Sequence, residues 1–187
     1  MKNFLIPATI IFMLFTGGCE QPSEKITDPP AVNENQNENN KPSENQSGKD
    51  DKIKSMDVKV YYPDEAGINL VAVDRKIKIA NDSEKYVEAV RILTEQPGEK
   101  DLVAIFPKGA KINSVNLKNG TAFVDLDGGI TKNFVGGSTG EEMLVNSVVD
   151  TLTEFKEVKQ VRFLIDGQEI ETLAGHMDLS EPIKRIE

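Results

Sequence analysis

The sequence predicts an α+β domain, a two-layer sandwich in which two helices cover a mixed, mostly antiparallel sheet. Three observations lead there. Several short runs alternate apolar and polar residues, as strands with one buried face do. Two longer segments repeat apolar residues at helical spacing. Between two of the alternating runs stands Asn119-Gly120, a favoured pair for a two-residue hairpin turn.

Taken in order, Val58, Val60 and Tyr62 alternate with Lys59 and Tyr61 in a first strand. Pro63 to Gly67 is turn chemistry, and Leu70 to Val73 opens a second strand that Ile77 and Ile79 extend. Asn81-Asp82-Ser83 supplies N-cap oxygens for a helix to about Gln96, with Tyr86, Ala89, Val90 and Leu93 on one face and Pro97-Gly98 as its stop. The Asn119-Gly120 turn then sets a register in which Leu117 faces Ala122 and Val115 faces Val124. After a glycine-bounded loop read as flexible, Ser138 and Glu141 have capping-box spacing at the start of the longest helix. Its buried stripe is Leu144, Val148, Thr151, Leu152 and Phe155. Val161 to Ile165 is a last strand, ended by Asp166-Gly167, and an irregular tail follows. The expected domain spans 56–187.

Two segments precede it. Lys2 followed by the apolar run Phe4 to Phe15 and then Thr16-Gly17-Gly18 reads as an export signal over residues 1–19. The run is too short to span a bilayer, which takes about 20 apolar residues. Cys19 directly after Gly17-Gly18 resembles a bacterial lipobox, although Thr16 stands where Leu is usual; the alternative is an ordinary secretory signal with an incidental Cys. Lipidation of Cys19, with palmitate among the acyl chains, would place the protein on the extracytoplasmic face of the membrane without a spanning helix. Residues 20–55 are rich in Asn, Glu and Pro and poor in large apolar groups, so they read as a disordered polar tether. As a coil such a tether reaches on the order of 30 Å, and about 100 Å when stretched.

Composition narrows the chemistry. Acidic residues outnumber basic ones 31 to 22, a net charge of -9, which argues against nucleic acid as a partner. One Cys and one His cannot make an internal disulfide or supply the usual zinc ligand set. Gly136 to Gly140 before a helix lacks the ending of a P-loop and the spacing of a dinucleotide fingerprint, and reads as a glycine-rich lead-in to that helix. Asp125, Asp127 and Asp166 sit at strand ends and could form a carboxylate pair for glycoside hydrolysis, yet Asp beside Gly is common for turn reasons alone. His176 could act as a general base, but no nucleophile motif accompanies it. No catalytic set, metal site or cofactor is expected.

The longest motifs carry a resemblance. Phe106-Pro107-Lys108-Gly109-Ala110-Lys111-Ile112 and Asn119 to Leu126, then Gly137-Ser138-Thr139-Gly140-Glu141, Leu144 to Phe155, Val158 and Val161 to Gly167, resemble the GerMN domain family in order and almost in register. Thr172 to His176 and Pro182-Ile183 fit that family's tail; Asp127 departs from it where Ser is frequent. The resemblance covers about Met56 to Arg185. It implies a fold similar to ring-building motif domains and a non-enzymatic, membrane-anchored envelope lipoprotein of sporulation or spore germination. The implied partners are envelope or sporulation proteins, or further copies of the chain. Peptidoglycan binding or hydrolysis is the alternative.

Overall fold

In a computed structural model the described residues are 53–186. The expected leader with Cys19, and all but the end of the expected tether, lie outside them. The fold is α+β, as the sequence predicts. β1 (Lys54–Pro63) and β2 (Leu70–Ile79) form an antiparallel ribbon, with Val60 opposite Val73 and Tyr62 opposite Val71. A 3-10 turn over Asp82–Glu84 leads into α1 (Lys85–Ile92). β3 (Ile112–Lys118) and β4 (Thr121–Leu126) make the hairpin; α2 (Gly129–Asn133) and α3 (Gly137–Thr153) follow, then β5 (Gln160–Ile165) and β6 (Gln168–Glu169).

The strands divide between that ribbon and a four-stranded sheet in the order β3-β4-β5-β6. β4 and β5 are parallel because α3 carries the chain back to the starting end of the sheet; the other pairs are antiparallel. β1 begins at Lys54, slightly before the expected boundary at Met56.

Local chemistry accounts for most of these elements. Asn81 accepts from the Ser83 amide at 3.2 Å, the expected cap. Tyr86, Ala89, Val90 and Leu93 are all buried, and Tyr86 meets Phe155 edge-on at 5.2 Å. Leu117 pairs with Ala122 and Val115 with Val124, the register the turn dictates. Asn119 and Gly120 take φ of 52° and 80°, as a type I′ turn demands.

Several further features differ from the expectation, beginning with α1, which stops at Ile92, short of Gln96. The loop after β4 is not bare: it holds α2, which buries Ile130. Asp166-Gly167 does not end the sheet but turns it, with φ of 49° and 78°, into the short β6. Ser138 and Glu141 form no capping box. The α3 N-cap is Gly136, with no side-chain bond, because the Glu141 carboxylate is drawn inward under the tail.

The core lies between α1, α3 and the inner faces of ribbon and sheet, and includes Val60, Tyr62, Leu93, Val124, Leu144, Leu152 and Phe163. α3 also joins the ribbon through polar groups. Thr151 Oγ1 accepts from the Tyr61 amide at 3.1 Å, and the Ser147 hydroxyl donates to the Tyr61 carbonyl. Both of Tyr61's outward backbone groups are thereby satisfied by a helix instead of a strand.

Gly120→Ala tests the hairpin. Its Cβ would stand 3.2 Å from Lys159 Cγ at a φ of 80°. We expect a loss of about 1–2 kcal/mol in urea unfolding with the m-value unchanged.

Candidate functional site

The three candidate aspartates gather at one end of the sheet, where β4 and β5 run out, but each carboxylate is aimed at a glycine amide. Asp125 Oδ1 accepts from the Gly167 N–H at 2.9 Å, which braces the β5-β6 turn. Asp166 Oδ1 accepts from the Gly128 N–H at 3.2 Å. Asp127 Oδ1 accepts from the Gly129 N–H at 2.9 Å as α2 opens, a task that a Ser hydroxyl can also perform. Among the described residues, no group of three or more His, Cys, Asp or Glu side chains is placed to hold a metal ion. No described helix is long and apolar enough to cross a membrane.

Gly136 and Gly140 have a packing reason, and Gly137 takes a φ of 58°. A Cβ on Gly136 would lie 2.9 Å from Phe134 Cζ and one on Gly140 3.4 Å from the same atom. The Phe134 ring folds over this stretch, where a phosphate cradle would need open space.

His176 belongs to a different constellation, one that sequence reasoning missed. Glu141 is 0% exposed. Its Oε1 accepts from the Thr172 hydroxyl at 2.8 Å and from the Leu173 and Ala174 amides, both at 2.9 Å. Its Oε2 accepts from the His176 amide at 2.9 Å and lies 3.1 Å from His176 Nδ1. Burial alone would push this carboxyl up, but the Ala174, Thr172, His176 and Leu173 donors outweigh it and hold it below the usual carboxylate range. The tail is thus wrapped around one anion. His176 keeps 44% of its side chain exposed at the rim of a shallow depression. A signal for Glu141 was present: it lies one turn before Leu144 and Val145, in phase with the apolar stripe, where an unpaired carboxylate cannot stand.

A second lock holds the chain's end. Arg185 Nη1 donates to Glu154 Oε1 at 2.8 Å and Nη2 to the Tyr61 hydroxyl at 2.6 Å, with the guanidinium 4.8 Å from the Tyr61 ring centre. Arg185, then the Tyr61 hydroxyl, draw Glu154 below its ordinary value, and burial raises Asp150 nearby. At the start of α1, Glu157 accepts from Lys85 at 2.5 Å and from the Tyr86 hydroxyl at 2.8 Å. Lys85, its own amide and Tyr86 take it down to about 2.

What remains open are strand edges. β2 has a strand partner on one side alone. The outer edge of β3 borders a shallow groove shared with the start of α1, lined in part by Lys85, Tyr86, Asn113, Asn116 and Leu117.

This architecture is that of a GerMN-type domain. A family model described as "Germane: Sporulation and spore germination" matches residues 59–171, more than half of the chain, and the chain belongs to that family. Among solved structures, the first GerMN domain of the sporulation protein GerM from Bacillus subtilis is similar at 22% identity and a TM-score of 0.55, covering 70% of this chain and 98% of that one. The tandem GerMN domains of the same protein match at 21% and 0.56; there the chain spans 46% of the longer structure and 70% of itself. A candidate lipoprotein from Clostridium perfringens matches at 24% and 0.50, over 70% of this chain and 87% of its own. Among curated proteins, none matches.

Glu141→Gln replaces an acceptor with a donor facing other donors. It should cost about 2–4 kcal/mol in urea unfolding. In the fold Glu141 and Glu157 both sit below the ordinary glutamate value of 4.5, so the unfolded chain binds their protons more readily. The stability they confer is complete above about pH 4.5 and lost as the pH falls through the folded values, toward about 2 for Glu157. Melting temperatures across pH 7 to 2 should show this fall, and Glu141→Gln should flatten part of it.

Proposed function

We propose that the protein is an envelope lipoprotein, anchored through lipid on Cys19 at the extracytoplasmic face of the membrane. In this reading it serves sporulation or spore germination by binding other proteins, without turnover. One observation carries the non-catalytic part: Asp125, Asp127, Asp166 and Glu141 each accept from backbone amides and serve as turn and tail formers. A carboxylate held that way is poorly placed for chemistry, because moving it toward a substrate gives up the backbone bond that shapes the turn. The setting is supported by the family description over residues 59–171 and by likeness to a candidate lipoprotein. Anchoring is supported by the small residues Gly17-Gly18 ahead of Cys19.

The test is made in cells that form spores. Cys19→Ala should move the protein out of the membrane fraction, and crosslinking of the native chain in intact cells should capture envelope proteins. Single substitutions Asp125→Asn, Asp127→Asn, Asp166→Asn and His176→Ala should leave spore yield and germination unchanged wherever the domain still folds. Release of soluble fragments from purified peptidoglycan by the full chain, abolished by one of those four, would replace the proposal with a wall hydrolase. Co-sedimentation without release would make the domain a glycan binder.

A further inference from the structure

We infer that two copies of this chain pair through the outer edges of β2, with Asp74 of each opposite Lys76 of the other, to make a continuous antiparallel sheet β1-β2-β2-β1. The inference concerns the ribbon alone and stands whether or not the domain serves sporulation.

The phase of the edge is fixed by bonds already described. Tyr61 turns both backbone groups away from β2 toward α3, and Tyr61 is opposite Ala72. Ala72 therefore turns its own N–H and C=O away from β1, and so do Leu70, Asp74, Lys76 and Lys78 in the same alternation. No strand or loop among the described residues pairs with that edge. It runs the ten-residue length of β2, an unpaired strand of the kind that invites another.

Charge then selects the occupant and the register. Side chains of Ala72, Asp74, Lys76 and Lys78 are all exposed, and within one copy Asp57 lies opposite Lys76 and Lys59 opposite Asp74. A second β2 laid antiparallel with Asp74 facing Lys76 extends each of these pairs into a row across four strands: Asp57, Lys76, then Asp74 and Lys59 of the second copy. The signs alternate throughout, and the two-fold axis repeats the row in reverse. Sliding either way by the smallest in-phase step puts Asp74 against Asp74 or Lys76 against Lys76. Like charges directly opposite are destabilising, so those registers are disfavoured.

The other face agrees. In the selected register Val73 meets Ile77 and Val71 meets Ile79 of the second copy. Val71 is otherwise 41% exposed. Arg75 falls on the axis opposite its mate; its Nη2 donates to the Pro97 carbonyl at 2.5 Å and to Glu99 at 2.6 Å, while Nη1 donates to the Asp74 carbonyl at 3.2 Å, whose second lone pair stays open to a strand partner. The groove on that side also carries Glu88 and Glu95, so the two guanidinium groups lie among carboxylates. Because the edge pairs with its own image, the assembly closes at two copies and leaves no free β2 edge.

The test uses the full chain, extracted in mild detergent and sized by sedimentation equilibrium. Asp74→Lys makes each cross-pair two lysines, and Lys76→Asp makes it two aspartates. Each variant alone should weaken self-association about tenfold or more, while an equimolar mixture of the two, carrying different tags, should form heterodimers at wild-type strength. Circular dichroism checks that each variant is folded, and a misfolded variant would also fail in the mixture. Restored pairing in the mixture supports the proposal. A wild-type chain that stays monomeric at its highest soluble concentration overturns it, as does a mixture that associates no better than the single variants.

Discussion

A single buried carboxylate decides how the last part of this chain folds. The segment after β6 has no ladder of its own, so the amides of Leu173, Ala174 and His176 would be orphaned under the surface without a common acceptor. Glu141 supplies it from the first turn of α3. With the tail gathered there, Leu173 and Leu179 are buried, and Ile183 reaches Val161 to cover the outer edge of β5. Arg185 then closes the chain over Tyr61 and Glu154. Helix, sheet and tail are joined through α3, whose polar side chains serve the tail at one end and β1 near the other.

That arrangement has a consequence for function. The three aspartates that sequence reading would assign to chemistry are committed to backbone geometry, and strand edges are among the surfaces left available. β5 is covered by β6 and the tail, and β1 is met by α3 at Tyr61. β2 has no strand partner on its outer edge among the described residues, and alternating charge runs along it. Under the function proposed above the domain acts by what it touches, and under the inferred pairing its specificity lies in the order of charges along an edge.

The elements legible in the sequence were those fixed by local rules. Asn119-Gly120 set its own turn and, through it, the pairing of Leu117 with Ala122. The α1 face and the Asn81 cap followed from helical spacing and a side-chain oxygen in the right place. Long-range commitments were not legible. Glu141 in capping-box spacing with Ser138 satisfies a local rule equally well, and the tail that claims it lies some thirty residues on. β6 is two residues long and leaves no alternation to read. Tyr61, on the polar phase of its strand, is buried because α3 and Arg185, both far along the chain from it, close over it.

The central claim, that one anion holds the tail in place, is met most directly by native-state hydrogen exchange at the Leu173, Ala174 and His176 amides. If Glu141 binds them as described, these three exchange only through large-scale opening, with protection comparable to that of core amides in β4 and β5. Exchange at the rate of exposed loop amides, while β4 and β5 remain protected, would show that the tail is not held by this carboxylate.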